Sequence, residues 1–145
     1  MLKPLVLLLG GRHIETIVRH SNSVFPIEAC GVLMGTVETQ IRIVKTVEAV
    51  DNLARSSCSY RIPSEELYHA LTDGEERGES LVGFYHSHPS WGAEPSKLDL
   101  ELASFPEVSY LIYSVRDRKL ESYICTDGRF KNERIAISKR KTMSR

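Results

Sequence analysis

The chain has 145 residues, 41% of them hydrophobic and 26% charged, with a formal net charge of zero. That length suits one compact core, and the neutral balance gives no reason to expect a nucleic-acid or membrane-surface partner. Three cysteines, Cys30, Cys58 and Cys125, make an odd count without a CxxC pair, which excludes a disulfide framework and points to a reducing cytoplasm.

Leu5 to Leu9 reads as a short first strand. It is too brief for a signal-peptide core and runs into Gly10-Gly11-Arg12 without a cleavage pattern. Arg12 to Ser21 sets Ile14, Ile17 and Val18 on one helical face. Beyond Pro26, the apolar run Ala29 to Met34 predicts a buried strand. Ile41 to Val50 alternates as a longer strand, and Leu53 to Ser59 is polar and loop-like. After Pro63, Ser64 is placed to cap a helix with Leu67, Ala70 and Leu71 on its buried face, ended by Gly74 and Gly78. Leu81 to His88 is a further strand, and Ser96 opens a short helix to about Ser104. Val108–Val115 and Leu120–Thr126 pair as a hairpin, and Ile135 and Ile137 mark a last strand after the Asp127-Gly128 turn. No stretch approaches transmembrane length. The pattern predicts a mixed α/β class: a curved, mostly antiparallel or mixed sheet with flanking helices. Residues 1–138 are expected to form a single domain. Residues 139–145 are expected to be a basic, solvated C-terminal tail.

The segment that carries chemistry is His86-Ser87-His88-Pro89, followed by Ser96 and Asp99. Side chains two apart on a strand share a face, so His86 and His88 project together, roughly 7 Å apart at the backbone. Their imidazoles can converge on one ion, and Asp99, one turn into a helix, is the third candidate ligand. Two histidines and a carboxylate leave a tetrahedral zinc with one open position, which is the catalytic arrangement and not the closed structural one. Each signal alone has a plain reading. Paired histidines occur on ordinary strands, and Ser96 with Asp99 also reads as a capping box. Glu28, at the mouth of the apolar run, is either solvated at a strand end or held at a cleft. Beside an open metal it could move the proton of the attacking water.

Pro26-Ile27-Glu28-Ala29-Cys30-Gly31-Val32-Leu33-Met34-Gly35, Gly83-Phe84-Tyr85-His86-Ser87-His88-Pro89, Ser96 and Asp99 together resemble the JAMM (MPN-plus) metallopeptidase pattern. In that pattern a distant Glu is followed by HxH, seven residues, Ser, two residues and Asp. The likeness covers nearly the whole chain, in the compact form of bacterial and archaeal members. It implies a cytidine-deaminase-like fold and one zinc per chain, held by His86, His88 and Asp99. Glu28 would be the acid/base and Ser96 the donor to the tetrahedral intermediate. The implied reaction is hydrolysis of a peptide or isopeptide bond at the C-terminus of ubiquitin or a ubiquitin-like protein.

Two other readings share these residues. One is release of cysteine or a short peptide from a ubiquitin-like sulfur-carrier protein. The other is a non-enzymatic MPN interaction module, against which intact Glu28 and Ser96 count, since neither is needed to hold metal. Cys30, inside an apolar strand, is set aside as a nucleophile because thiolate is disfavoured there. The loop Ser90 to Pro95 lies between two candidate ligands and is expected to border the cleft, with Trp91 either exposed there against a substrate tail or tucked into the core, and Leu53 to Tyr60 could supply an edge that pairs with an extended tail.

Overall fold

A computed structural model describes residues 6–138. The basic stretch Lys139 to Arg145 and the first five residues lie outside the described residues. The elements run β1 (Val6–Gly10), α1 (Gly11–Ser23), β2 (Cys30–Glu38), β3 (Ile41–Val50), α2 (Ser64–Glu76), β4 (Ser80–His88), α3 (Lys97–Leu102), β5 (Ser109–Ser114), β6 (Lys119–Thr126) and β7 (Arg129–Ser138). Among them no helix is long and apolar enough to cross a membrane.

The strands close into a barrel in the order β1-β3-β2-β4-β5-β6-β7. This overturns the curved, cytidine-deaminase-like sheet with flanking helices that the sequence predicts. The closing device is β7. Its first half, Arg129 to Glu133, pairs antiparallel with β6. Its second half, Arg134 to Ser138, pairs parallel with β1, and β1 also pairs parallel with β3 through Val6, Leu7 and Leu8. An open sheet would leave rows of unpaired N–H and C=O groups at β1 and β7; closure satisfies them. A pairing between the two ends of the chain leaves no trace in local periodicity, so Ile135 and Ile137 signal a strand but not its neighbours.

Alternate residues of each strand fill the barrel. Leu7, Leu9, Leu33, Val44, Tyr85 and Leu111 form one core with Ile17 of α1, and Ile14 and Val18 pack against it. Outside the wall, Val32, Met34, Phe84 and Tyr110 form a second cluster with Ala70 of α2. Gly74, expected to end α2, lies buried inside it, because the Met34 side chain occupies the space that a Cβ would need. Ser64 is the first helical residue and not the cap; Pro63 precedes the helix and no side chain caps it.

One buried polar knot lies within the strands. Arg42 of β3 reaches Glu133 of β7 at 3.4 Å, with side chains 3% and 0% exposed. Glu133 also accepts from the hydroxyls of Ser109 on β5 and Ser122 on β6, while Arg42 donates twice to the Glu107 carbonyl, at 3.1 and 2.7 Å. Removing one member of a buried ion pair strands the other charge, at a cost of about 3–5 kcal/mol. Arg42→Met should therefore lower stability by about that amount, measured by urea unfolding. An Arg42→Met/Glu133→Leu double variant should recover most of the loss.

Candidate metal centre

The pairing of β2 with β4 places the candidate residues. Cys30 lies opposite His86 and Val32 opposite Phe84. Phe84, His86 and His88 share one face of β4, turned away from the barrel interior that Tyr85 fills. Tyr85 lies flat over Gly31, where any Cβ would overlap its ring, and its hydroxyl meets His20 Nδ1 at 2.7 Å. Past the last ladder pair, Ala29 N–H donates to the Ser87 hydroxyl at 2.8 Å and Ser87 N–H donates to the Ala29 carbonyl at 3.0 Å. The same register, carried one more residue, sets Glu28 across from His88.

Asp99 arrives from the other side. Ser96 is the N-cap of α3: its hydroxyl accepts from Asp99 N–H at 3.0 Å, and its own N–H donates to Asp99 Oδ2 at 2.9 Å. The capping box is thus present, and it fixes where the carboxylate points. His86, His88 and Asp99, all buried, each offer one ligand atom within 4.8 Å of the others and form a group that could hold a metal ion.

The protonation pattern of this group favours a cation. His88 Nδ1 sits 2.7 Å from the Gly92 carbonyl, which can only accept, so Nδ1 carries the hydrogen and Nε2 presents a lone pair. His88 Nε2 faces His86 Nε2 at 3.3 Å and Asp99 Oδ2 at 3.0 Å, while His86 Nε2 faces Asp99 Oδ1 at 3.2 Å. Burial lowers the His86 pKa, against the opposing Asp99 hydrogen bond and charge. With both rings neutral, at most one hydrogen serves three close approaches between acceptors. A cation among them satisfies all three, and ligands held at about 2.0–2.1 Å from a tetrahedral ion lie about 3.3 Å apart. Burial would raise Asp99, but hydrogen bonds to His86 and His88 outweigh it and hold the carboxyl well below the usual carboxylate range.

Glu28 is 1% exposed, deeper than the cleft edge that the sequence suggests, and neither of its carboxylate oxygens has a hydrogen-bond partner among the described residues. Burial, followed by the Asp99 and Cys58 charges, pushes its carboxyl up to about 9. Such a group holds its proton at neutral pH until a nearby cation opposes the Asp99 charge. Cys30 is buried and its thiol is pushed up to about 12, chiefly by burial, so it is inert as a nucleophile. Trp91 is half-buried, its ring tilted against His88 at 5.6 Å.

The loop between β3 and α2 is not a free strand edge, as the sequence suggests, but a folded wall. Asn52 donates to the carbonyls of Glu28 at 3.1 Å and Ser59 at 3.0 Å, and accepts from the N–H groups of Ala54 at 2.9 Å and Arg61 at 3.0 Å. Those four bonds use the full capacity of its amide. The wall brings Tyr60 to stack on His86 with ring centroids 4.4 Å apart. Ser87 and Gly92 escape motif reading, because a serine facing away from the histidines and a backbone carbonyl have no side-chain signature there. An asparagine just after a strand, before a polar run, is the one local hint of the latch.

The closed barrel thus brings together an outward pair of histidines, a capped carboxylate and a buried glutamate. Residues 11–125 match the prokaryotic homologs of the JAB domain, and the chain belongs to that family. It is 36% identical over 113 residues to a desampylase of Haloferax volcanii, covering 77% of this chain and 79% of that one. It is 33% identical over 135 residues to a CysO-cysteine peptidase of Mycobacterium tuberculosis, covering 91% of each. The solution structure of a protein from Desulfitobacterium hafniense matches with a TM-score of 0.85 at 30% identity, over 92% of this chain and 94% of that one.

The Glu28 carboxyl has a folded pKa raised from 4.5 to about 9. Its contribution to stability is intact below the unfolded value and is lost as pH rises toward the folded one. In metal-free protein, Glu28→Gln should match the parent at about pH 3.5, below the unfolded value, and exceed its stability by about 1–4 kcal/mol at pH 8, read from urea midpoints.

Proposed function

We propose that this chain is a zinc peptidase of the cytoplasm that hydrolyses the peptide or isopeptide bond at the C-terminus of a ubiquitin-like protein. The observation that carries this reading is the buried, unpartnered Glu28 carboxylate placed across the β2–β4 register from His88. A structural metal site has no use for it. The names of the desampylase and CysO-cysteine peptidase relatives support the substrate class.

In this reading His86, His88 and Asp99 hold one zinc ion. The ion would supply Lewis acidity, polarising the scissile carbonyl and making the attacking water easier to deprotonate. Glu28 takes the proton from the attacking water and returns it to the leaving nitrogen. The Ser96 hydroxyl already accepts from Asp99 N–H, so its own hydrogen is free to meet the oxyanion that develops on the acyl carbon. Asp99 stays ionised because its hydrogen bonds to His86 and His88, with the Ser96 N–H adding to them, outweigh its burial. Beside Tyr60 a cleft of about 550 Å³, lined by Phe84, Leu98, Phe105 and Tyr110, offers apolar space for the tail of the substrate.

The alternative, release of cysteine or a short peptide from a sulfur-carrier protein, uses the same residues. The relative that matches 91% of both chains favours it by name. Purified protein should carry about one zinc per chain, and His88→Ala should lose most of it, measured by mass spectrometry of the metal. Glu28→Gln should stay metal-replete while single-turnover cleavage falls by about 10²–10⁴, the worth of a positioned acid/base. Near-parental cleavage by a metal-replete Glu28→Gln protein would remove the acid/base role.

A further inference from the structure

β5 carries a fully buried serine at each end, Ser109 and Ser114. Five apart on a strand, the two face opposite ways. Ser109 points inward, donates to Glu133 and belongs to the closed network with Arg42. Ser114 lies opposite His88 in the parallel β4–β5 ladder, so its side chain shares the outer face with that histidine. The Ser114 hydroxyl accepts from the Asp117 N–H at 3.0 Å and donates to the Trp91 carbonyl at 2.6 Å.

That carbonyl is one peptide away from the metal centre. The next one along the chain, the Gly92 carbonyl, is the acceptor that His88 Nδ1 meets at 2.7 Å. One peptide plane is therefore tied to Ser114 and the following plane to His88. Between them lies only the Gly92 Cα, which has no side chain to hinder its rotation. The other ties on this segment are longer. Arg116, from an exposed position, reaches the Ser90 carbonyl at 3.2 Å, and the Tyr123 hydroxyl reaches the Ala93 carbonyl at 3.3 Å. The short, buried tie is the one from Ser114.

What the Gly92 carbonyl controls is the place of one hydrogen. His88 faces an acceptor at each ring nitrogen, Gly92 O at Nδ1 and Asp99 Oδ2 at Nε2, the latter at 3.0 Å. A neutral imidazole has a single hydrogen for the two. With the hydrogen on Nδ1, the Nε2 lone pair points toward His86 and Asp99, as a shared cation requires. With the Gly92 carbonyl swung away, Asp99 draws the hydrogen to Nε2 and that lone pair is lost to the site. Resting on the zinc reading above, we propose that Ser114 is a positioning residue of the metal centre. By holding the Trp91 carbonyl it keeps the Gly92 carbonyl on His88, and so keeps His88 in the tautomer that can bind the ion. Ser114 acts only through the Trp91–Gly92 peptide and takes no part in bond breaking.

Zinc-loaded protein titrated with a competing chelator gives the first readout. Ser114→Ala should weaken zinc binding by about tenfold, the lower end of the loss seen when a group that orients a ligand is removed. Ser114→Thr keeps the hydroxyl and should restore most of that affinity. Ser109→Ala is the control on the same strand: its urea midpoint should fall while its zinc affinity stays parental. The second readout is the pair of His88 ring-nitrogen resonances in zinc-free protein at about pH 8. The parent should show the hydrogen on Nδ1 and a lone pair on Nε2, and Ser114→Ala a mixture of the two tautomers. An unchanged zinc affinity or an unchanged ring signature in Ser114→Ala overturns the inference, and so does an equal loss of affinity in Ser109→Ala. A parent that binds no zinc removes the zinc reading, and the ring signature then decides for or against the hold of Ser114 on His88 by itself.

Discussion

Ala29 and Ser87 hold the molecule's chemistry in place. The Ala29 N–H donates to the Ser87 hydroxyl, and the Ser87 N–H donates to the Ala29 carbonyl. Together they lock the end of the β2–β4 ladder in one register. A slip by one residue would turn His86 and His88 into the apolar interior and Tyr85 out of it. The same lock sets Glu28 opposite His88. The candidate base and two candidate ligands, far apart in sequence, therefore share one backbone constraint.

The barrel wall separates two kinds of buried charge. Inside, Arg42 and Glu133 neutralise each other and take up the Ser109 and Ser122 hydroxyls. That network is closed, with nothing left to react. Outside, at the end of β4, the acceptors of His86, His88 and Asp99 crowd together, and the Glu28 carboxylate oxygens have no hydrogen-bond partner among the described residues. Burial raises the free energy of both sets of groups. In the first the polar atoms answer one another, and in the second they are left without mutual satisfaction. Unsatisfied buried groups of this kind mark function because nothing in folding alone rewards them.

The loop from Asn52 to Arg61 contributes shape. Its four hydrogen bonds to one asparagine side chain make it a rigid partition, although it contains neither strand nor helix. Tyr60 presses on His86 from its apolar side, while Asn52 faces a small polar cavity beside Glu28.

Much was legible in the residues themselves. The HxH spacing gave two imidazoles on one face, because strand side chains alternate. The Ser96 to Asp99 spacing gave a capped helix start, because capping is local chemistry within one turn. Most elements fell near their expected places, since periodicity is set by near neighbours. The long-range facts were not legible. Barrel closure depends on β7 changing partners from β6 to β1 midway along its length, a contact between the chain's two ends. The burial of Glu28, the Gly92 carbonyl on His88 and the stacking of Tyr60 on His86 depend on how separate segments meet. A sequence records which groups can do chemistry and how adjacent ones are spaced. Which of them share a cavity, and which are shut away from water, is decided when the strands close and the loops fold over them.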